Sequence, residues 1–131
     1  PSGRFFIGLT KGKSTLETVF NTLSNIMKKH AVKLNVVTDN AEQLYVNTHK
    51  TDAKNKDIFF GMVKQAKGKV AYHLMPVYCT PDLLNDISPE LKKKMQGKSC
   101  FNFKKFDEAL FAELDQLTAN GLTDYIAKGK A

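Results

Sequence analysis

The residues whose type and spacing could do chemistry gather between positions 72 and 100. His73 stands in an apolar run, Val70-Ala71-Tyr72-His73-Leu74-Met75-Pro76-Val77-Tyr78. An imidazole there either carries a proton or ligand, or is hydrogen-bonded within a core. Gln96-Gly97-Lys98-Ser99 resembles the end of a phosphate loop. It lacks the first glycine, the preceding strand and the following helix, so a lone anion-holding turn with Lys98 suits it better than a nucleotide site, beside the plain reading of a solvated turn. Cys100 follows directly, and neither it nor Cys79 belongs to a C-x-x-C pair, so both are expected to be reduced thiols packed as small apolar groups. The ligand-binding candidates are Tyr72, His73, Tyr78, Lys98, Ser99 and Cys100.

Other chemistries lack their carriers. No H-x-x-x-H or H-x-H cluster suggests zinc. No G-x-S-x-G elbow, Walker loop or dinucleotide fingerprint is present. No close pair of carboxylates suits hydrolytic acid–base work. The expected class is therefore non-enzymatic, with no cofactor. The net charge of +7 favours phosphates and other anionic partners. Yet of 20 basic residues only Arg4 is an arginine, and base readout favours the planar fork of arginine. The densest basic stretches are Lys50 to Lys69, with six lysines against two aspartates, and Lys92-Lys93-Lys94. A solvated lysine surface, with weak and salt-sensitive nucleic-acid binding at most, is the expectation.

The elements that must position these residues can be read from periodicity. Ser14-Thr15-Leu16-Glu17 forms a capping box, and Leu16, Val19, Phe20, Leu23, Ile26 and Met27 make a helical stripe ending at Lys28-Lys29-His30. Four strands follow: Val32 to Thr38, Gln43 to Thr48, Ile58 to Gln65 and Val70 to Tyr78, joined by short connections that imply an antiparallel meander. Thr80-Pro81-Asp82 and Ser88-Pro89-Glu90 each place a cap, a proline and an acid. They predict short helices over Pro81 to Asn85 and Pro89 to Met95, the second stopped by Gly97. Ser99 to Phe103 is a fifth short strand. Asp107 opens a long helix with Leu110, Leu114, Leu117, Gly121 and Tyr125 inward, Gly121 letting it approach the sheet. The 131 residues thus predict one α+β domain, a two-layer sandwich of two long helices on an antiparallel sheet of four to five strands.

The central hairpin, Ile58 to Tyr78, is apolar on both faces, whereas a sheet with one wet face alternates. Its second face needs cover from the Thr80 to Lys104 segment, from a partner chain in a homodimer, or from a ligand. No apolar run reaches the ~20 residues of a membrane span. The first residues are too quickly interrupted to form a signal peptide, so the cytoplasm is the expected location.

Three stretches carry a family resemblance: Asp57 to Gly61, Val70 to Tyr78, and Met95-Gln96-Gly97-Lys98-Ser99-Cys100-Phe101-Asn102-Phe103. They resemble the YdhG-like family of small bacterial domains of unknown function. That resemblance implies a frataxin-like fold, and one branch of the family is described as an iron chaperone. Frataxin-type iron sites resemble an acidic ridge along the first helix and strand, which here would fall to Glu17, Asp39 and Glu42. Hard iron needs several converging oxygens, so no tight iron site is expected.

The leading expectation is a binding or accessory domain whose small ligand or protein partner meets the second sheet face near His73. An intracellular iron chaperone comes second, and a sequence-independent nucleic-acid binder third. Either a monomer or a homodimer fits.

Overall fold

The computed structural model describes residues 15–131. The capping box at Ser14 and the polar lead-in before it lie outside the described residues. Helix α1 (Thr15–His30) is followed by strands β1 (Asn35–Asp39), β2 (Gln43–Thr51), β3 (Asp57–Ala66) and β4 (Lys69–Leu74). A short helix α2 (Met75–Cys79), a 3-10 turn (Pro81–Leu84) and helix α3 (Pro89–Lys92) lead to β5 (Met95–Gln96), β6 (Cys100–Phe103) and the long helix α4 (Glu108–Ala127). The α+β class is as expected. The sheet has six antiparallel strands in the order β1-β2-β3-β4-β6-β5, more than the four to five expected. The extra strand is β5, two residues folded onto β6 around Gly97, whose φ of 79° suits a residue without a Cβ.

Three boundaries move for local reasons. Strand β1 begins at Asn35 rather than Val32, because residues 31–34 close a turn after α1, with Leu34 N–H donating to the Ala31 carbonyl at 2.9 Å. Strand β4 ends at Leu74 rather than Tyr78. Pro76 has no N–H to give a ladder, and the chain coils into α2. The helix at Pro89 stops at Lys92, so Gly97 serves the β5–β6 turn and not a helix end.

One sheet face carries the core. Leu44, Val46, Val63, Tyr72, Leu74 and Phe101 are fully buried there against Val19, Leu23, Met27, Leu114 and Leu117 of the two long helices. Asp107 caps α4 by accepting from the Leu110 N–H at 3.1 Å. The helix runs through Gly121, as expected, but what it approaches there is chiefly α2: a Cβ on Gly121 would stand 3.0 Å from Pro76 Cβ. The segment from Thr80 to Lys94 also packs on α4, with Thr80 Oγ1 donating to Asp124 at 2.8 Å and Ser88 Oγ donating to Glu113 at 2.7 Å. It thickens the helical layer and does not cover the second sheet face.

The two long helices are joined at one end by a charged cluster. Lys29 Nζ lies 2.5 Å from Asp115 Oδ2, and His30 Nε2 lies 2.6 Å from Oδ1. Burial pushes the Asp115 carboxyl up, but these two partners outweigh it and hold it below its ordinary value. A carboxylate with a depressed folded pKa stabilises the fold above its unfolded pKa and loses that contribution as pH falls through the folded one. Asp115→Asn should therefore be less stable than the native chain at neutral pH, by about 0.5–1 kcal/mol for a part-exposed pair. The gap should narrow in urea titrations carried down to about pH 2, and a gap independent of pH would refute this account.

Candidate functional site

The face of the sheet turned away from the helices is built from alternate residues of four strands. It presents Gln43, Tyr45 and Asn47 of β2, Phe59, Met62 and Lys64 of β3, Lys69, Ala71 and His73 of β4, and Cys100 and Asn102 of β6. A bulge sets the pattern on β3: Val46 faces Gly61 and Asn47 faces Phe59, so Phe60 is the extra residue. Phe60 turns inward against Tyr125, with ring centroids 5.9 Å apart, and Phe59 is left on the outer face. Most of the outer residues are half-buried, and Lys64 is exposed, whereas their inward neighbours are fully enclosed.

At one end of this face the rings form a platform. Tyr45 and Phe59 lie 4.9 Å apart, tilted by 31°, and Phe59 meets His73 edge-on at 5.3 Å. Gln43 Nε2 donates to the Met62 sulfur at 3.1 Å beside them. At the other end Lys69, Lys94, Lys104, Lys105 and Asn102 line a cavity of about 410 Å³ that contains no acid. Asn102 Nδ2 and Lys69 Nζ both donate to Gln96 Oε1, at 2.6 and 3.2 Å. Four ammonium groups around polar amides make an anion-attracting basin. Beyond the platform, on the opposite side, stand Asp52 and Asp57 near Phe59.

The six predicted residues separate into three places. Tyr72 lies on the helical face, fully buried, and bonds Thr118 at 2.6 Å. His73, Ser99 and Cys100 come together on the outer side, with Ser99 Oγ 2.9 Å from His73 Nε2. Tyr78 and Lys98 meet at the end of the sheet, the ammonium 5.9 Å from the ring centroid, in a groove shared with Pro81, Leu84, Met95 and Gly97.

The Ser99–His73 pair has the first half of a nucleophile–base arrangement. Among the described residues, no carboxylate bonds the other His73 nitrogen, and Ser99 is only 5% exposed. Burial lowers the His73 pKa, which favours the neutral ring. The pair pins the β5–β6 turn to β4, a job shared by Leu74 N–H donating to the Ser99 carbonyl at 2.9 Å. Burial pushes the Cys100 thiol up, against an opposing pull from Lys69, so its reactive thiolate is suppressed.

The metal candidates do not converge. Glu17 lies in the first turn of α1, while Asp39 pairs with Lys28 of the last turn at 2.9 Å. At the helical rise those ends are ~16 Å apart. Glu42 sits in the β1–β2 turn, its N–H donating to Asn40. Among the described residues no group of three His, Cys, Asp or Glu could hold a metal ion, and no helix is long and apolar enough to cross a membrane.

Tyr45, Phe59, Lys69, Lys104 and Lys105 were not among the ligand-binding candidates of the sequence. Strand alternation at Leu44-Tyr45-Val46 was a usable signal for Tyr45. Lys69 and Lys94 lie in the two densest basic stretches, but their convergence with Lys104 and Lys105 had no sequence signal, because only the β4–β6 pairing brings Lys69 beside Asn102 and the lysines after Phe103. No family model, no curated protein and no solved structure matches this chain.

Proposed function

We propose that this chain is a non-enzymatic binding domain whose ligand lies on the open sheet face, with an aromatic part on Tyr45, Phe59 and His73 and an anionic part toward Lys69. The observation that supports this most is the outer face itself: adjacent half-buried rings end in a basin of four lysines, and the described helices all pack on the other side. Apolar rings left on one face of a sheet attract a partner, and concentrated positive charge beside them selects an anionic one. The YdhG-like reading of the central strands, with a frataxin-like fold, belongs to this proposal. It draws support from two long helices on one face of an antiparallel sheet. The wide separation of Glu17 and Asp39 ranks iron carriage below anion binding.

The test is a ¹⁵N-edited NMR titration with thymidine monophosphate, a probe holding one ring and one phosphate. Amide shifts should concentrate on Tyr45, Phe59, Met62, His73 and Asn102. Shifts confined to the helical layer, or none at millimolar nucleotide, would sink the reading.

A further inference from the structure

We infer that the ligand of this face is single-stranded nucleic acid, bound without regard to sequence; the inference rests on the binding reading above and names its ligand class. Single strands are held by two things together, rings on which bases stack and a positive track for the backbone. Both are present on one surface here. Tyr45, Phe59 and His73 are contiguous across β2, β3 and β4, with centroid separations of 4.9 and 5.3 Å. Lys69 lies on the same face of β4 as His73, four residues away, which is ~13 Å along a strand. That span suits a short run of nucleotides lying along β4, bases on the rings and phosphates in the basin of Lys69, Lys94, Lys104 and Lys105.

Charge complementarity sets both the class and the direction. The paired residues of β2, β3, β4 and β6 carry one acid, Asp57 opposite Thr51 at the end of the β2–β3 ladder, two residues before Phe59. Asp52 and Asp57 stand past the platform, on the far side from the basin, so the phosphate track leads away from them. The composition sets the specificity. Among the described residues, 15–131, every Lys or Arg is a lysine, so this face offers point charges to phosphates and no bidentate fork to base edges. A duplex would present phosphates to the lysines but keep its bases stacked inside, and the rings would go unused. An acidic polypeptide would fill the basin and likewise leave the rings without a partner.

The experiment is fluorescence anisotropy of a labelled 20-nucleotide thymidine oligomer, at graded salt, with the native chain and three variants. Neutralising about four phosphates predicts a fall in affinity of roughly 50-fold between 50 and 200 mM salt. Lys94→Gln with Lys104→Gln should lower the slope of log affinity against log salt by about 1.4, while Lys33→Gln, on the helical side, leaves it unchanged. Phe59→Ala should weaken the single strand roughly tenfold and leave duplex of the same length unaffected. Because Phe59 also packs in the sheet, the lysine variants, all at exposed positions, decide the matter if Phe59→Ala unfolds. Equal losses from Lys33→Gln and the basin variant, or duplex bound as tightly as single strand, would overturn the inference. So would a glutamate polymer of equal charge binding as tightly, which would point to an acidic protein partner. Monophosphate shifts on the face without oligomer binding would reject the polymer and keep the binding face. Absence of both rejects the face itself.

Discussion

Gly61→Ala should destabilise the protein by about 1 kcal/mol, although alanine is the better strand residue. Glycine inside a strand costs roughly 0.5–1 kcal/mol relative to alanine, so on backbone grounds alone the change would help. Space decides otherwise. A Cβ built on Gly61 stands 2.5 Å from Met27 Cε and 2.9 Å from the His73 carbonyl oxygen. The methionine tip can swing away. The carbonyl belongs to the neighbouring strand β4 and moves only if the ladder opens. Forcing extra volume into a packed core costs ~1–3 kcal/mol, which exceeds the gain. Combining Gly61→Ala with Met27→Ala tests the division: the methionine part of the clash disappears and the carbonyl part stays. Urea unfolding should show a double variant less stable than Met27→Ala alone. Equal stability would mean that Met27 was the only obstacle.

That glycine also shows how far the sequence could be read. A glycine inside an apolar strand marks a close approach by some other group, and here the group is Met27 of α1 together with the β4 backbone. Both long helices and the antiparallel sheet were legible because their signals are local: a 3.6-residue stripe from Leu16 to Met27, and alternation at Leu44-Tyr45-Val46. The apolar doubling of Ile58 to Tyr78 was legible too, but its cause was mixed. On β3 it reflects the bulge that turns Phe60 inward and leaves Phe59 outside. After Leu74 it reflects α2, where Val77 is buried among the helices and Tyr78 is 54% exposed. Strand alternation cannot see a bulge or a proline-driven coil in advance. The candidate site was half legible for the same reason. His73 stood out as a polar residue in an apolar strand, and Ser99 and Cys100 through the Gly97-Lys98 turn, while Tyr72, two positions from Leu74, falls by the same alternation on the core side. The lysine basin depends on pairing between residues about thirty apart in sequence, which no local pattern records.

Thr118→Val should cost more than Tyr72→Phe, although the two remove the same hydrogen bond. Thr118 Oγ1 lies 2.7 Å from the Leu114 carbonyl, one turn back, and 2.6 Å from the Tyr72 hydroxyl. A carbonyl only accepts, so the threonine spends its single proton there, and the phenol must be the donor in the second bond. The chain runs from Tyr72 O–H to Thr118 Oγ1 and from Thr118 O–H to the Leu114 oxygen, with both side chains fully enclosed. Burial, partly offset by the Thr118 bond and reinforced by Asp115, raises the Tyr72 pKa, so the phenol keeps its proton well above neutral pH. Tyr72→Phe deletes a donor and leaves Thr118 still bonded to its own helix, a loss of ~1 kcal/mol. Thr118→Val strands the phenolic proton in a site closed to water, and an unmet buried donor costs ~1–3 kcal/mol. In the double variant neither hydroxyl remains, and the Leu114 carbonyl keeps its place in the helical ladder of α4. The double change should therefore be no worse than Thr118→Val alone, with the phenyl ring packed where the phenol was. Chemical denaturation of all four proteins closes the cycle. If the two single losses simply add, the hydroxyls are not coupled and the donor assignment is wrong.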